Sequence, residues 1–221
     1  MGKFIAQTPV LKRPAVSEED AAKARLKREM TMRIDEQGYL HGANTERFDS
    51  PFFDERTECA KPELIILHNI SLPCGEFLTG YPRALFLGTI DTQAHPSFAS
   101  LKGLKVSSHF LVTRTGHVEQ FVSTQKRAWH AGVSQFQERS GCNNFSIGIE
   151  LEGSDFVAFE PAQYQALGRV IAALHERYPS IVAITGHQDV APTRKSDPGP
   201  FFDWEYVKNQ VKSLSITVYH R

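Results

Sequence analysis

From residue 64 onward the hydrophobic and polar positions fall into patterns that separate strands from helices. LIILHNI (Leu64–Ile70) is a continuous apolar run ending in His68. That pattern predicts a central strand, buried on both faces, that delivers a polar residue at its C-terminal end. HFLVTRTGHVEQFV (His109–Val122) alternates on either side of Thr115-Gly116 and predicts a hairpin. SIGIELEG (Ser146–Gly153) has period two: Ile147, Ile149 and Leu151 face one way, Gly148, Glu150 and Glu152 the other. Glu150 is thereby expected to protrude from a strand whose glycines leave room above it.

PAQYQALGRVIAALHERYP carries the clearest helical period. Pro161 suits a first turn, Tyr164, Leu167, Ile171, Leu174 and Tyr178 form one apolar stripe, and Pro179 ends it. The stripe is expected to pack on the sheet. IVAITGH then predicts another strand, followed by a loop, QDVAPTRKSDPGP, and a terminal segment around Phe202 and Trp204. No internal repeat or low-complexity tract interrupts this order. Mixed strands and helices with hairpin and crossover connections imply an α/β fold: a mixed central β-sheet flanked by helices.

The start of the chain differs. Residues 1–35 carry more Lys and Arg than Asp and Glu, and Ser17-Glu-Glu-Asp20 resembles a capping box ahead of AAKARLKREM. A short exposed helix on a loosely attached arm is expected there.

Composition narrows the function classes. With 41% hydrophobic residues in 221, the chain has ample material for a core, which excludes a disordered polymer. Its 25 basic and 25 acidic side chains cancel, so no global field favours nucleic acid or an anionic membrane. No apolar run approaches the roughly 20 residues of a membrane span. MGKFIAQTPVLKRP lacks the apolar stretch of a secretory signal, and Ala6 stands where myristoylation wants Ser or Thr, which predicts a cytoplasmic chain. Cys59, Cys74 and Cys142 form no Cys-x-x-Cys pair and are expected to be reduced, packed as small apolar groups.

Among nine histidines, position has to discriminate. His68 ends a strand, His187 follows another directly after Gly186, and Asp197 sits in a loop pinned by Pro192, Pro198 and Gly199. Two imidazoles and one carboxylate suit Zn²⁺ and leave a fourth tetrahedral position for water or substrate, an arrangement made for hydrolysis. Spacing alone leaves the set open: His109 and His130 are rival ligands and Asp189 a rival carboxylate.

HNISLPCGEF, GTIDTQAHPSF, KRAWHAGVSQFQ, CNNFSIGIELEG and TGHQDVAPTRKSDPGPFFDW, in ordered blocks from Gly38 to Trp204, resemble the N-acetylmuramoyl-L-alanine amidase type 2 family. The resemblance is strongest to its AmpD branch, which cleaves 1,6-anhydro-muropeptides. It implies a zinc amidase domain over residues 38–213, an N-terminal extension at 1–37 and a C-terminal tail at 214–221. By motif it places His68, His187 and Asp197 on the zinc-binding positions, Glu150 on the catalytic glutamate and Lys195 on an assisting lysine. Asn69, Trp129 and His130 fall in blocks that line the substrate groove of similar enzymes. His109 is expected either behind the metal site or as a plain strand residue, Glu152 is the alternative base, and His95 is expected to be structural.

Two departures matter. Cys74 replaces the second proline of the family's Pro-Pro-Gly, and Gly141 stands where that branch often has arginine, so a cationic contact to a peptide carboxylate falls to Lys105 or Arg139. The function this resemblance implies is zinc-dependent hydrolysis of the bond between muramic acid and L-alanine during peptidoglycan recycling. The alternative is a recognition module that binds muropeptides without cutting them.

Overall fold

The computed structural model describes residues 17, 31–57 and 60–220. The helix expected in AAKARLKREM, and Cys59, lie outside the described residues. A seven-stranded sheet organises the rest. Its strands are β1 (Thr45–Arg47), β2 (Leu64–Ile70), β3 (Phe110–Val112), β4 (Val118–Gln120), β5 (Ser146–Glu152), β6 (Ala183–Gly186) and β7 (Thr217–Tyr219). Their spatial order is β7-β6-β2-β5-β3-β4-β1. The run from β7 to β3 is parallel, β3 and β4 form the expected antiparallel hairpin, and β1 runs parallel to β4.

Position in the sheet follows from residue type. The β2 run, apolar on both faces, lies in the middle between β6 and β5, where strands are covered on both sides. The hairpin turn contains Gly116 at φ 77°, where an added Cβ would stand 2.7 Å from the Ala162 carbonyl oxygen. A left-handed backbone pressed against the next helix admits only glycine.

One face of the sheet holds the main core. Ile65 and Leu67 of β2, Ile147, Ile149 and Leu151 of β5 and Ile184 of β6 meet Tyr164, Leu167, Ile171 and Leu174. These last belong to the helix Pro161–Arg177, whose stripe packs as its spacing predicts. The buried Gln163 amide stitches that helix to the sheet by donating to the Val112 and Glu152 carbonyls. Met32, Ile34 and Leu40, from the start of the described chain, join the same core, and Thr217–Tyr219 pairs with β6 as the edge strand β7.

The opposite face carries two smaller apolar clusters. One is built on Leu64 and Ile66 with Phe145 and Val190; the other joins Leu111 and Phe121 to Leu85 and Phe86 of the helix Tyr81–Phe86. His68 follows Leu64 and Ile66 on this face. The segment after β6 is not all loop: His187–Val190 forms one helical turn, and Trp204–Val211 a further helix.

Candidate functional site

Parallel register sets the first two functional groups side by side. His68 of β2 pairs with Glu150 of β5, and Glu150 with Leu111 of β3, so the carboxylate stands between an imidazole and an apolar neighbour. His187 opens the helical turn that follows β6. Asp197 comes from the following loop, whose Asp197 carbonyl accepts the Gln188 amide at 2.8 Å and so folds back onto that turn. Three ligand atoms converge: His68 Nδ1, His187 Nδ1 and Asp197 Oδ2 are mutually 3.0 Å apart. Among the described residues they form the group able to hold a metal ion.

Proton bookkeeping shows what this group can accept. The Ser146 hydroxyl donates its single hydrogen to the Cys142 carbonyl at 2.7 Å, so at 3.3 Å it accepts from His130 Nε2. His130 Nδ1 is then a lone pair facing His68 Nε2 at 3.0 Å. His68 carries its proton on Nε2 and turns the Nδ1 lone pair inward. His187 Nε2 donates to the Ala131 carbonyl at 3.1 Å, so its Nδ1 also points a lone pair at the trio. Three electron-rich atoms, one from a carboxylate, repel one another unless a cation lies among them. Their spacing compares with the roughly 3.3 Å between ligands of a tetrahedral zinc at about 2.0–2.1 Å. The donor set therefore fits a small divalent ion.

Electrostatics agree. Burial pushes His68 down to about 4, so the ring takes no extra proton at neutral pH. Glu150 moves the other way: burial, then the Asp197 charge, hold its carboxyl well above the ordinary range, against a smaller lowering by Lys195. Its Oε2 is buried with no hydrogen-bond partner.

These groups share a cavity of about 240 Å³ with Lys195 at the polar end and Leu72, Phe86, Leu101, Leu104 and Trp129 among its apolar walls. The apolar walls from residues 72–106 were invisible to motif reading, because they come from short segments with no periodic pattern. A larger hollow of 690 Å³ lies beside Leu64, the first residue of β2, and contains none of the convergent groups.

The remaining sequence candidates are placed as follows. Lys195 is exposed and lines the cavity. Trp129 lines it too, backed by a stacked Phe52 at 6.3 Å. Asn69 lines the cavity as well, and its amide donates to Asp155 Oδ1 at 2.8 Å and the Pro198 carbonyl at 3.0 Å, bracing the loop that carries Asp197. His130 lines the cavity too, with both ring nitrogens engaged by His68 and Ser146. Lys105 is exposed between Leu104 and Val106 and does not itself line the cavity. Arg139 is elsewhere: it pairs with Glu63 at 2.6 Å, covers the Phe145 ring and lines the larger hollow.

The rivals are also located. His109 accepts the Gly148 amide at 3.0 Å and faces the Lys126 carbonyl at 3.1 Å, touching the ring of His130 and no ligand. Glu152 spends both oxygens on the Leu78 and Arg114 amides. Asp189 accepts the Gly186 amide at 3.3 Å and stays outside the trio. His95 caps a short helical turn through Ser97. Cys142 is a buried apolar group, but Cys74 is exposed on the surface and not packed. The space over Gly148 is not open either: the His130 ring fills it, and an added Cβ would lie 2.4 Å from Cγ.

Comparison with known proteins accords with this geometry. The family model described as N-acetylmuramoyl-L-alanine amidase matches residues 58–200. The 1,6-anhydro-N-acetylmuramyl-L-alanine amidase AmpD of Escherichia coli K12 is 56% identical over 170 residues, 76% of this chain and 92% of that protein. A crystal structure of an AmpD selenomethionine derivative superposes with a TM-score of 0.77 at 50% identity, covering 84% of this chain and all of that one (100%). AmpDh3 of Pseudomonas aeruginosa, solved with an anhydromuramic pentapeptide, gives 0.50 at 26% identity, covering 80% of this chain and 65% of that one. The chain belongs to the N-acetylmuramoyl-L-alanine amidase family.

Proposed function

We propose that this protein hydrolyses the amide joining 1,6-anhydro-N-acetylmuramic acid to L-alanine in muropeptides, as a zinc-dependent, cytoplasmic enzyme of peptidoglycan recycling. The observation that carries the proposal is the trio of inward lone pairs at 3.0 Å beside a buried glutamate, in a chain 56% identical to AmpD. His68, His187 and Asp197 would hold the ion. When bound, zinc supplies Lewis acidity that polarises the scissile carbonyl and brings water to a pKa near ~7.

Glu150 takes the water's proton and later passes it to the departing amine of L-alanine. Its raised proton affinity suits both transfers, because a base must hold the proton it has taken until the leaving group needs it. Lys195, an ammonium on the cavity wall, stabilises negative charge as it develops on the carbonyl oxygen. The indole of Trp129 offers a flat apolar face to the sugar ring. A binding module without catalysis would have no use for an unpaired buried carboxyl beside a metal trio, and that favours the enzyme.

The test is incubation of metal-analysed protein with anhydro-muramoyl tripeptide, followed by mass spectrometry for free peptide. Release that stops with chelator supports the reading. Stoichiometric binding without turnover would favour the recognition module, and cleavage surviving complete removal of metal would defeat the mechanism.

A further inference from the structure

Residues 130 and 131 lie behind both imidazoles of the trio, one neighbour for each. His130 Nδ1 faces His68 Nε2 at 3.0 Å, and the Ala131 carbonyl faces His187 Nε2 at 3.1 Å. We propose that His130 is a positioning residue: it accepts the Nε2 proton of His68 and so holds that ring in the tautomer that offers Nδ1 to the ion, with Ser146 as its anchor. The proposal rests on the reading of His68 as a metal ligand. It gives His130, which also lines the cavity, a role that acts through His68.

The argument runs from fixed donors inward. A backbone carbonyl can only accept, so Cys142 takes the hydrogen of the Ser146 hydroxyl at 2.7 Å. The hydroxyl oxygen then accepts from His130 Nε2 at 3.3 Å, which strips His130 Nδ1 of a proton. An acceptor 3.0 Å from His68 Nε2 demands a hydrogen there. The chain Cys142–Ser146–His130–His68 therefore has one self-consistent arrangement, and it ends with a lone pair aimed at the trio. Metal-bound histidines depend on such partners for tautomer and ring orientation.

The segment is held rigidly enough to act this way. Asn143 Oδ1 accepts the amides of Ala131 at 2.8 Å and His130 at 3.3 Å, and Ser107 Oγ accepts that of Trp129 at 3.0 Å. Underneath, Gly148 lets the imidazole sit against the strand, at a distance no Cβ would permit. The geometry also separates His130 from the ligands themselves, since its Nδ1 looks at the back of His68 and not at the trio.

Two near-isosteric substitutions divide the functions of the ring. In His130→Asn the side-chain oxygen occupies the place of Nδ1 and keeps the acceptor for His68; in His130→Gln the amide nitrogen occupies the place of Nε2 and keeps the donor for Ser146. Zinc affinity is measured by chelator competition, and the His68 tautomer by long-range 15N–1H correlation in metal-free protein. His130→Asn should stay within about threefold of wild type, whereas His130→Gln should weaken zinc binding about 10- to 100-fold and move the His68 proton toward Nδ1. Ser146→Ala, a smaller change that leaves the ring in place, should shift the tautomer in the same direction. Equal weakening in both His130 variants with the His68 proton fixed on Nε2, or no weakening in either, would overturn the proposal. A wild-type His68 protonated at Nδ1 would overturn it too. Failure of the wild type to bind zinc, with its proton found on Nε2, would instead strike the underlying ligand assignment.

Discussion

Glu150→Gln separates stability from catalysis with opposite signs. The carboxyl is 8% exposed, its Oε2 has no partner, and burial followed by the nearby Asp197 charge raises its proton affinity well above the ordinary value. A group whose folded pKa is raised favours the fold fully only below its unfolded pKa of about 4.3, and that favour is lost as pH climbs through the folded value. Glutamine cannot ionise. In metal-free protein the variant should therefore match wild type near pH 4 and become progressively more stable as pH rises, until the wild-type carboxyl is ionised. Up to pH 7 the raised proton affinity costs the wild type at most about 1.4 kcal/mol per pH unit above 4.3, or about 1–4 kcal/mol in all, and at about 2–4 °C per kcal/mol for a chain this long the melting temperature should rise by roughly 2–16 °C at neutral pH. Removal of the base should meanwhile lower kcat by about 10²–10⁴, or about 3–5 kcal/mol of barrier. Scanning calorimetry from pH 4 to 8 with a muropeptide turnover assay reads both. A variant less stable than wild type at pH 7, a pH-independent difference, or turnover within tenfold of wild type would refute the reasoning.

Other consequences follow from single contacts. Lys195→Ala should reduce kcat by about 10²–10³ while zinc content by atomic absorption stays unchanged; loss of metal would make Lys195 a support of the site and not a stabiliser of charge. Gly148→Ala should displace the His130 ring that an added Cβ would meet at 2.4 Å, costing about 1–3 kcal/mol in urea unfolding and weakening zinc retention together. Leu174→Ala, in the fully buried stripe on the sheet, should cost about 2–5 kcal/mol of stability with kcat of the folded protein untouched.

Legibility in the sequence tracks how local each interaction is. The β2 run, the alternation of β5 and the Tyr164–Tyr178 stripe are patterns within one segment, and each became the element its period implies. His68 and Glu150 were found as strand residues, but their adjacency is a matter of register between two distant strands, which no single segment encodes. Position at strand ends favoured His68, His187 and Asp197, yet the resemblance to a family was needed to set aside His109, His130 and Asp189. The parts that escaped are relational. Ser146 looks like an ordinary strand serine until the Cys142 carbonyl claims its hydrogen. Asn69 lines the cavity, but its amide is also spent on Asp155 and Pro198, partners that no single segment names. Arg139 was a reasonable stand-in for a missing arginine by sequence distance, and the two-residue shift places it with Glu63 at another hollow.

The most direct test of the account is a zinc titration of metal-free protein, with cleavage of anhydro-muramoyl tripeptide followed at each addition. Turnover should rise linearly, break sharply at one equivalent per chain, and vanish in Asp197→Ala, which removes the only carboxylate of the trio. Full turnover before any zinc is added, or undiminished turnover in Asp197→Ala, would contradict it.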